Sequence, residues 1–456
     1  MKNSESELVQ DADARALTYL EGINYRRVFP NQDAIDSLST FNESLADEGR
    51  PGSETLAMLD DVGSAATVAT NGPRYFGFVV GAALPIAAAA ERLMLAWDNG
   101  SALYVTSPTC ATLEEIAGRW MLDILDLPKQ SAVGFGTSAT ACSLTCLTAA
   151  RRALLIRAGW NPDEDGLYGA PEIRVVVSEK THITILKALR ILGFGSSRLL
   201  VAPVDEHGRI DPARMPALDD KTIVCLQAGE VNTGEFDPFN EIIPKAREAG
   251  AWIHIDGAFG LWARASGKLR HYTDGVEGAD SWTVDGHKWL NTPYDCAMAI
   301  CKDPSLLAAA MNSDAAYAAG TAKAQKNLTI EFSRRARGVP VWAILRTLGR
   351  QGVAEMVERH CSQATHLADS LRDAGFDVIN RVVLNQVIVR GQSDAETQAI
   401  QNAAHESGEV WFGMSSWGGK AAFRLSISSW RTTDDDIERL IKVLIVARSS
   451  YQLQQD

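Results

Sequence analysis

Residues Ala279–Ile300 read ADSWTVDGHKWLNTPYDCAMAI, and the fold turns on how this stretch is understood. Ser281–Asp285 and Cys296–Cys301 have the short apolar character of buried strands, and Asp285-Gly286-His287-Lys288 stands between them. A lysine beside a histidine, fenced by Trp289 and Leu290, is not the usual solvated surface lysine. In water a lysine amine has a pKa of about 10.4 and is a poor nucleophile until it loses its proton. Desolvation or neighbouring cations ease that loss, and lysines so placed form Schiff bases with carbonyl compounds. The plainer reading is a strand-end lysine whose stem packs while its head reaches water. The stretch alone leaves both open.

Upstream, strands are expected at Ile173–Ser178, Arg198–Val204, Thr222–Gly229 and Ala251–Asp256, with helices over 139–157, 182–192 and 239–249. Continuous Val/Ile/Leu strands separated by helices predict an α/β fold with a mostly parallel sheet covered on both faces, where ligands gather at the carboxyl ends of strands. Ser178, Gly229, Asp256 and the Asp285–Lys288 turn all fall at such ends. Beyond Arg337–Trp342 the pattern changes to one long helix over 339–373, short strands near 376–380, 385–390 and 422–428, and helices over 394–406 and 433–447. That mixture predicts a smaller α+β C-terminal domain. Residues 1–75 look helical, with breaks at Pro30, Glu48–Ser53 and Asn71–Tyr75, and carry too little apolar surface to fold alone. The expected organisation is an N-terminal arm over 1–75, a large domain over 76–345 and a small domain over 346–456, because 456 residues exceed one compact core.

Composition limits the function. Hydrophobic residues at 46% and charged residues at 22% are ordinary for a soluble globular protein, and a formal charge of −13 argues against nucleic acid and anionic membranes as partners. The first residues, MKNSESELVQDADAR, lack the apolar core of a signal peptide. The longest apolar run, Val79–Ala90, contains Pro85 and falls short of the about 20 residues that span a bilayer, so a buried segment or core helix is expected. Seven scattered cysteines without C-x-x-C read as reduced thiols packed as small hydrophobes, which fits a cytoplasmic location. No metal is expected, since H-E-x-x-H is absent and the histidines do not cluster; a G-x-S-x-G elbow is absent too.

Four further places carry residues suited to chemistry. Asp256 is followed by Gly257-Ala258-Phe259-Gly260, small residues that let a flat ligand lie close. A buried carboxylate needs a positive or donating partner; a protonated pyridine nitrogen satisfies it, as does a plain capping role. Gly134–Leu147 (GFGTSATACSLTCL) is a glycine-bearing turn entering a helix, where backbone N–H groups and the hydroxyls of Thr137, Ser138 and Thr140 suit a phosphate. It also matches G-x-G-x-x-A through Gly134, Gly136 and Ala139, which keeps an NAD-dependent oxidoreductase as a distant alternative. The strand-ending acid that this fingerprint needs about 20 residues on is missing. A helix cap without a ligand is the third reading. His182 opens a helix after a strand end and either stacks on a cofactor or serves structure alone. In Ala228–Pro238 (AGEVNTGEFDP), Asn232 and Thr233 either donate to a ligand oxygen or shape the turn.

In order and spacing, these segments resemble the group II pyridoxal-phosphate-dependent amino-acid decarboxylases, relatives of the aromatic amino-acid, histidine and glutamate decarboxylases. ADSWTVDGHKWLNTPYDCA matches the family's D-S-x-x-x-D-x-H-K-W motif ahead of P-x-D-C. His182–Gly195 (HITILKALRILGFG), Trp252–Gly260 (WIHIDGAFG) and Phe423–Leu440 (FRLSISSWRTTDDDIERL) also read like family segments, so the likeness runs from about Pro73 to the last helix. The resemblance implies fold type I of the pyridoxal enzymes (aspartate-aminotransferase-like). It further implies a homodimer with sites at the subunit interface, the arm wrapped on the partner, and pyridoxal 5′-phosphate as cofactor. By the same resemblance Lys288 holds the cofactor as a Schiff base, Asp256 pairs with its pyridinium nitrogen and His182 stacks on its ring. Thr137 and Ser138 bind its phosphate with His287 beside them, and Asn232 lies near its oxygen substituents. The implied reaction is decarboxylation of an L-amino acid, a lyase reaction of amino-acid and carboxylic acid metabolism.

The chain departs from the family pattern in three places. Ala316–Gly338 (AYAAGTAKAQKNLTIEFSRRARG) is short where relatives often carry a proton-donating loop tyrosine, and its only tyrosine is Tyr317. Relatives without that donor turn to other chemistry, so a carbon–carbon lyase or aldehyde synthase is the alternative within the same cofactor class. The usual S-G-G-T phosphate turn reads Thr137-Ser138-Ala139-Thr140, and Glu230 beside Asn232 brings negative charge toward an anionic cofactor unless it points away. For the substrate, Phe76 and Phe78 line a side-chain pocket or belong to the core, and Arg424 holds a substrate carboxylate or serves the small domain's structure.

Overall fold

Buried strands ending level on polar residues are what position the site. The computed structural model of this chain describes residues 4–312 and 324–455. Its central sheet consists of β1 (Ala132–Gly136), β2 (Arg174–Ser178), β3 (Leu200–Ala202), β4 (Thr222–Gln227), β5 (Trp252–Asp256), β6 (Ser281–Asp285) and β7 (Ala297–Cys301), in the order β1-β7-β6-β5-β4-β2-β3. The strands β3, β2, β4, β5 and β6 run parallel, β7 is antiparallel to β6, and β1 is antiparallel to β7. Strands β4 to β7 are buried at every position, which is why they read as unbroken apolar runs. The pairings Gln227↔Asp256 and Asp256↔Thr283 bring the ends of β4, β5 and β6 side by side.

The helices are α1 (Glu5–Gly22), α2 (Gln32–Ser37), α3 (Gly52–Met58), α4 (Pro85–Trp97), α5 (Pro108–Ile124), α6 (Ala139–Arg157) and α7 (Pro162–Asp165), followed by α8 (Ile183–Ile191), α9 (Phe239–Glu248), α10 (Pro304–Met311), α11 (Gly338–Asp373), α12 (Asp394–Ser407) and α13 (Asp434–Leu453). A second sheet, in the order β10-β11-β9-β8, comprises β8 (Asp377–Val378), β9 (Gln386–Arg390), β10 (Gly413–Trp417) and β11 (Lys420–Ser426). The chain divides into two compact units, one of residues 83–366 with 380–387, the other of residues up to 82, 367–379 and 388 onward.

In the first unit α6 lies on the central sheet: its Leu147, Ala150 and Leu154 share a buried cluster with Val175 and Val177 of β2, Ile223 of β4 and Trp252 of β5. Full burial of each large aliphatic side chain there contributes roughly 1.5–3 kcal/mol. The expected glycine-bearing turn at Gly134 is instead the edge strand β1. Gln325 covers that edge, accepting from Phe135 N–H at 3.0 Å and donating to the Val133 carbonyl at 3.1 Å, as a neighbouring strand would. Gly134 is needed for close approach, since a Cβ there would lie 2.0 Å from the Leu328 carbonyl oxygen. An antiparallel edge strand is not the parallel strand that opens a dinucleotide-binding βαβ unit, so the G-x-G-x-x-A match does not carry that meaning here. The apolar run ending at Ala90 is buried over its first part, at Val79, Ala82, Leu84 and Ala87, and enters α4, where Ile86 and, beyond the run, Leu93, Leu95 and Trp97 are exposed.

In the second unit Arg74, 2% exposed, pairs with Glu409 at 2.6 Å and donates to the Asn24 carbonyl at 3.0 Å, fastening the segment after α1 to the loop after α12. Trp411 stacks against Tyr75 (ring centroids 5.0 Å apart) and Phe78 (6.0 Å).

Candidate active site

Lys288 stands three residues beyond the end of β6, in a turn held from several sides. The N–H groups of Gly286 and His287 donate to the Cys296 carbonyl (2.9 and 3.2 Å), and Thr292 N–H donates to the Gly286 carbonyl (3.1 Å). Asn291 takes a left-handed φ of 60° and donates from Nδ2 to the Trp289 carbonyl at 2.8 Å. Trp289 and Leu290 are fully buried, and Trp289 Nε1–H donates to His360 Nδ1 at 2.9 Å. The apolar fence is therefore an anchor, and from it Lys288 projects with 21% of its side chain exposed.

The Lys288 amine lies 2.9 Å from Asp285 Oδ2, while Asp285 Oδ1 accepts the N–H of Ala139, the first residue of α6, at 2.7 Å. One buried carboxylate thus joins the lysine to the start of a 19-residue helix. His287 Nδ1 accepts from Cys296 N–H at 3.2 Å, which leaves the hydrogen of the neutral ring on Nε2, 3.8 Å from Asp285 Oδ1. Burial holds the His287 imidazole below its ordinary value, with the Asp285 charge opposing. Tyr294 stacks on that ring at 4.5 Å.

Asp256 closes β5 almost fully buried, and its Oδ1 accepts from Ala258 N–H at 3.2 Å. Burial pushes its carboxyl up, while the charges of His182 and Lys288 draw it down. His182 caps α8, its Nδ1 accepting from Thr184 N–H at 3.4 Å, and its backbone N–H donates to Gln227 Oε1 at 3.2 Å. The loops beyond these strands are pressed together: a Cβ on Gly260 would lie 2.3 Å from the Ala228 carbonyl oxygen. Glu230 turns its carboxylate into its own loop, accepting from the N–H groups of Asn232 (2.8 Å) and Thr233 (2.7 Å) and from Asn232 Nδ2 (3.2 Å). Ser138 caps α6, its Oγ accepting from Ala141 N–H at 3.3 Å.

Comparison with known proteins decides what this arrangement belongs to. Residues 58–391 match the pyridoxal-dependent decarboxylase conserved domain. The chain belongs to the pyridoxal-dependent decarboxylase family. It is 28% identical over 336 residues to tryptophan decarboxylase 1 of Oryza sativa subsp. japonica, a match covering 67% of this chain and 64% of that relative. It is 25% identical over 384 residues to phenylacetaldehyde synthase of Arabidopsis thaliana, covering 77% and 76%. The crystal structure of Oryza sativa TDC with PLP and tryptamine superposes with a TM-score of 0.91 at 21% identity, covering 99% of each chain. The fold is accordingly the α/β fold type I of the pyridoxal enzymes.

The residues present fit the cofactor of this decarboxylase family, pyridoxal 5′-phosphate. An amine, a buried carboxylate and a helix N-terminus with hydroxyls supply what an aldehyde, a cationic ring nitrogen and a phosphate require. Two buried polar atoms beside Asp256 and His182, Gln227 Nε2 and Thr181 Oγ1, have no hydrogen-bond partner among the described residues, which suits a polar ligand. Among the described residues no group of His, Cys, Asp and Glu is arranged to hold a metal ion.

Of the residues singled out in the sequence, Lys288, His287 and Ser138 meet around Asp285, Thr137 precedes that cap, and His182 and Asp256 meet at the ends of β4 and β5. Asn232 sits in the loop after β4, with Glu230 occupied by that loop. Phe78 and Arg424 belong to the other unit, where Phe78 is exposed with a left-handed φ of 51° and Arg424 pairs with Gly413 across β10 and β11. Phe76, 1% exposed, is a core residue. Tyr317 lies outside the described residues. Sequence reasoning placed Asp285 at a strand end, three residues before the lysine, but gave it no role.

Proposed function

We propose that this protein decarboxylates an L-amino acid, with Lys288 as the residue that carries pyridoxal phosphate. The observation that carries the reading is the partly exposed Lys288 amine, held by the turn after β6 at 2.9 Å from Asp285 Oδ2, with the buried Asp256 closing the neighbouring strand β5. When bound, pyridoxal phosphate supplies an aldehyde that condenses with amines and a cationic ring that accepts the electron pair left when a bond to Cα breaks. Asp256 would hold a proton on the ring nitrogen and keep that ring charged. His182 would stack on the ring, Asn232 would donate to its oxygen substituents, and Thr137, Ser138 and the first turn of α6 would hold the phosphate with His287 beside them. Lys288 would hold the aldehyde carbon, and its Nζ would move a proton at the substrate's Cα.

The relatives named for tryptophan and phenylacetaldehyde make aromatic L-amino acids the first substrates to test, with Phe78 and Arg424 as candidate substrate contacts. A homodimer is part of the proposal. The exposed apolar residues of α4, together with exposed Tyr104 and Val105 after it, form the kind of surface that soluble chains cover by association. Wrapping of residues 1–75 on the partner belongs to the same reading, as does a cytoplasmic location, which seven free, buried thiols support.

Aldehyde synthesis is the second reading, favoured by the phenylacetaldehyde synthase relative and the short segment around Tyr317. Incubating the cofactor-loaded protein with a panel of amino acids separates the two. Amine plus CO2 without oxygen uptake is the expected outcome; aldehyde, ammonia, CO2 and peroxide, with dioxygen consumed, would replace this reading by the second. No turnover of any amino acid in the panel would count against both.

A further inference from the structure

We propose that Asp285 is a positioning residue that competes with the cofactor's phosphate for the start of α6, and so sets how tightly the cofactor is held. The proposal rests on the reading of α6 as the phosphate's place. A helix N-terminus offers an anion a few amide hydrogens and a partial positive charge confined to the first turn. Of the first three amides of α6, the ones without an intrahelical carbonyl, two are already engaged, and Cys142 N–H makes the first regular helix bond. Ala139 N–H goes to Asp285 Oδ1 at 2.7 Å, Ala141 N–H to Ser138 Oγ at 3.3 Å and Cys142 N–H to the Ser138 carbonyl at 2.9 Å. Asp285 is 2% exposed, and its second oxygen holds the Lys288 ammonium at 2.9 Å. A phosphate arriving there meets a like charge that already owns both the first amide and the neighbouring cation. Either the carboxylate yields them or the two anions share one helix end, and both cost affinity. Asparagine at this position keeps an oxygen for Ala139 N–H but carries no charge, which removes the repulsion of the phosphate.

The test uses the full-length chain freed of cofactor and titrated calorimetrically with pyridoxamine 5′-phosphate, which has the phosphate but no aldehyde to couple with Lys288. Asp285→Asn is expected to tighten this ligand about tenfold, the scale of removing one nearby like charge, while binding of phosphate-free pyridoxamine changes by less than about twofold. Asp285→Ser, smaller and also uncharged, is expected to follow the same pattern. Equal or weaker binding of pyridoxamine 5′-phosphate by both variants, with unchanged circular dichroism, overturns the proposal. Inorganic phosphate supplies the separate arm: it should displace pyridoxamine 5′-phosphate from the unsubstituted protein. If it fails to compete in any of the three proteins, the reading of α6 itself falls; if it competes while affinities stay equal, only the role of Asp285 falls.

Discussion

Replacing Arg334 with methionine is expected to destabilise the fold by about 3–5 kcal/mol, the cost of leaving a buried charge without its partner. Arg334 and Glu114 are both without solvent exposure and meet through two parallel bonds, Nη1 to Oε2 at 2.8 Å and Nη2 to Oε1 at 2.7 Å. The guanidinium also donates to the Phe135 carbonyl at 2.8 Å and to Ser101 Oγ at 2.7 Å, while Glu114 accepts from Gly338 N–H at 3.0 Å. Methionine fills the space but strands a carboxylate and leaves the Phe135 carbonyl without this donor, a further loss of about 1 kcal/mol or more. Glu114→Leu with Arg334→Met removes both charges and should cost far less than the sum of the two single changes. Urea unfolding followed by tryptophan fluorescence, at one protein concentration and saturating cofactor, measures all four proteins. Because Phe135 leads within three residues to Thr137 and Ser138, Arg334→Met should also release cofactor more readily. A stability for Arg334→Met within about 1 kcal/mol of the unsubstituted chain, or strict additivity in the double variant, would refute this assignment.

Asp256→Ala should lower turnover on the order of a thousandfold while cofactor affinity falls by no more than about tenfold, since the carboxylate acts on the ring's charge more than on its retention. His254, fully buried with Nε2 unpartnered among the described residues, is pushed down to about 3 by burial. The unfolded chain, in which a histidine titrates near about 6.5, therefore binds a proton that the folded chain refuses, and stability falls as pH drops from about 6.5 toward 3. His254→Asn should flatten that slope of unfolding free energy; Asp237, pushed up to about 7 by burial, opposes it equally in both proteins, so identical slopes would contradict the assignment. Gly260→Ala, which sets a methyl against the Ala228 carbonyl, should lower both the unfolding midpoint and cofactor retention; a variant matching the parent in both would contradict the close packing of these loops.

The ends of β6 and α6 agree with their expected residues, and β2, β4 and β5 fall within two, because strands buried on both faces announce themselves as apolar runs. For the same reason Lys288, Asp256 and His182 stood out: once the strands are placed, so are their carboxyl ends. Gly134 and Gly136 hid β1, since glycine chosen for the approach of Leu328 looks the same in sequence as glycine chosen for a turn. The run entering α4 is buried at Val79, Ala82, Leu84 and Ala87 but exposed at Ile86, a change of environment that composition does not distinguish. Strand β10 is polar and half exposed, and only Gly418-Gly419, both left-handed, marked its hairpin with β11. The roles of Asp285 and Arg334 were not legible because their partners, Ala139 and Glu114, lie 146 and 220 residues away in the chain. Such pairings belong to the folded molecule and leave no local pattern.

Borohydride reduction of the protein loaded with pyridoxal phosphate, followed by proteolysis and mass spectrometry, asks directly which nitrogen holds the cofactor. A phosphopyridoxyl group on the peptide containing Lys288, and its loss in Lys288→Ala, is the predicted result. The same group on a different lysine, or no adduct from a protein that still turns over an amino acid, would contradict it.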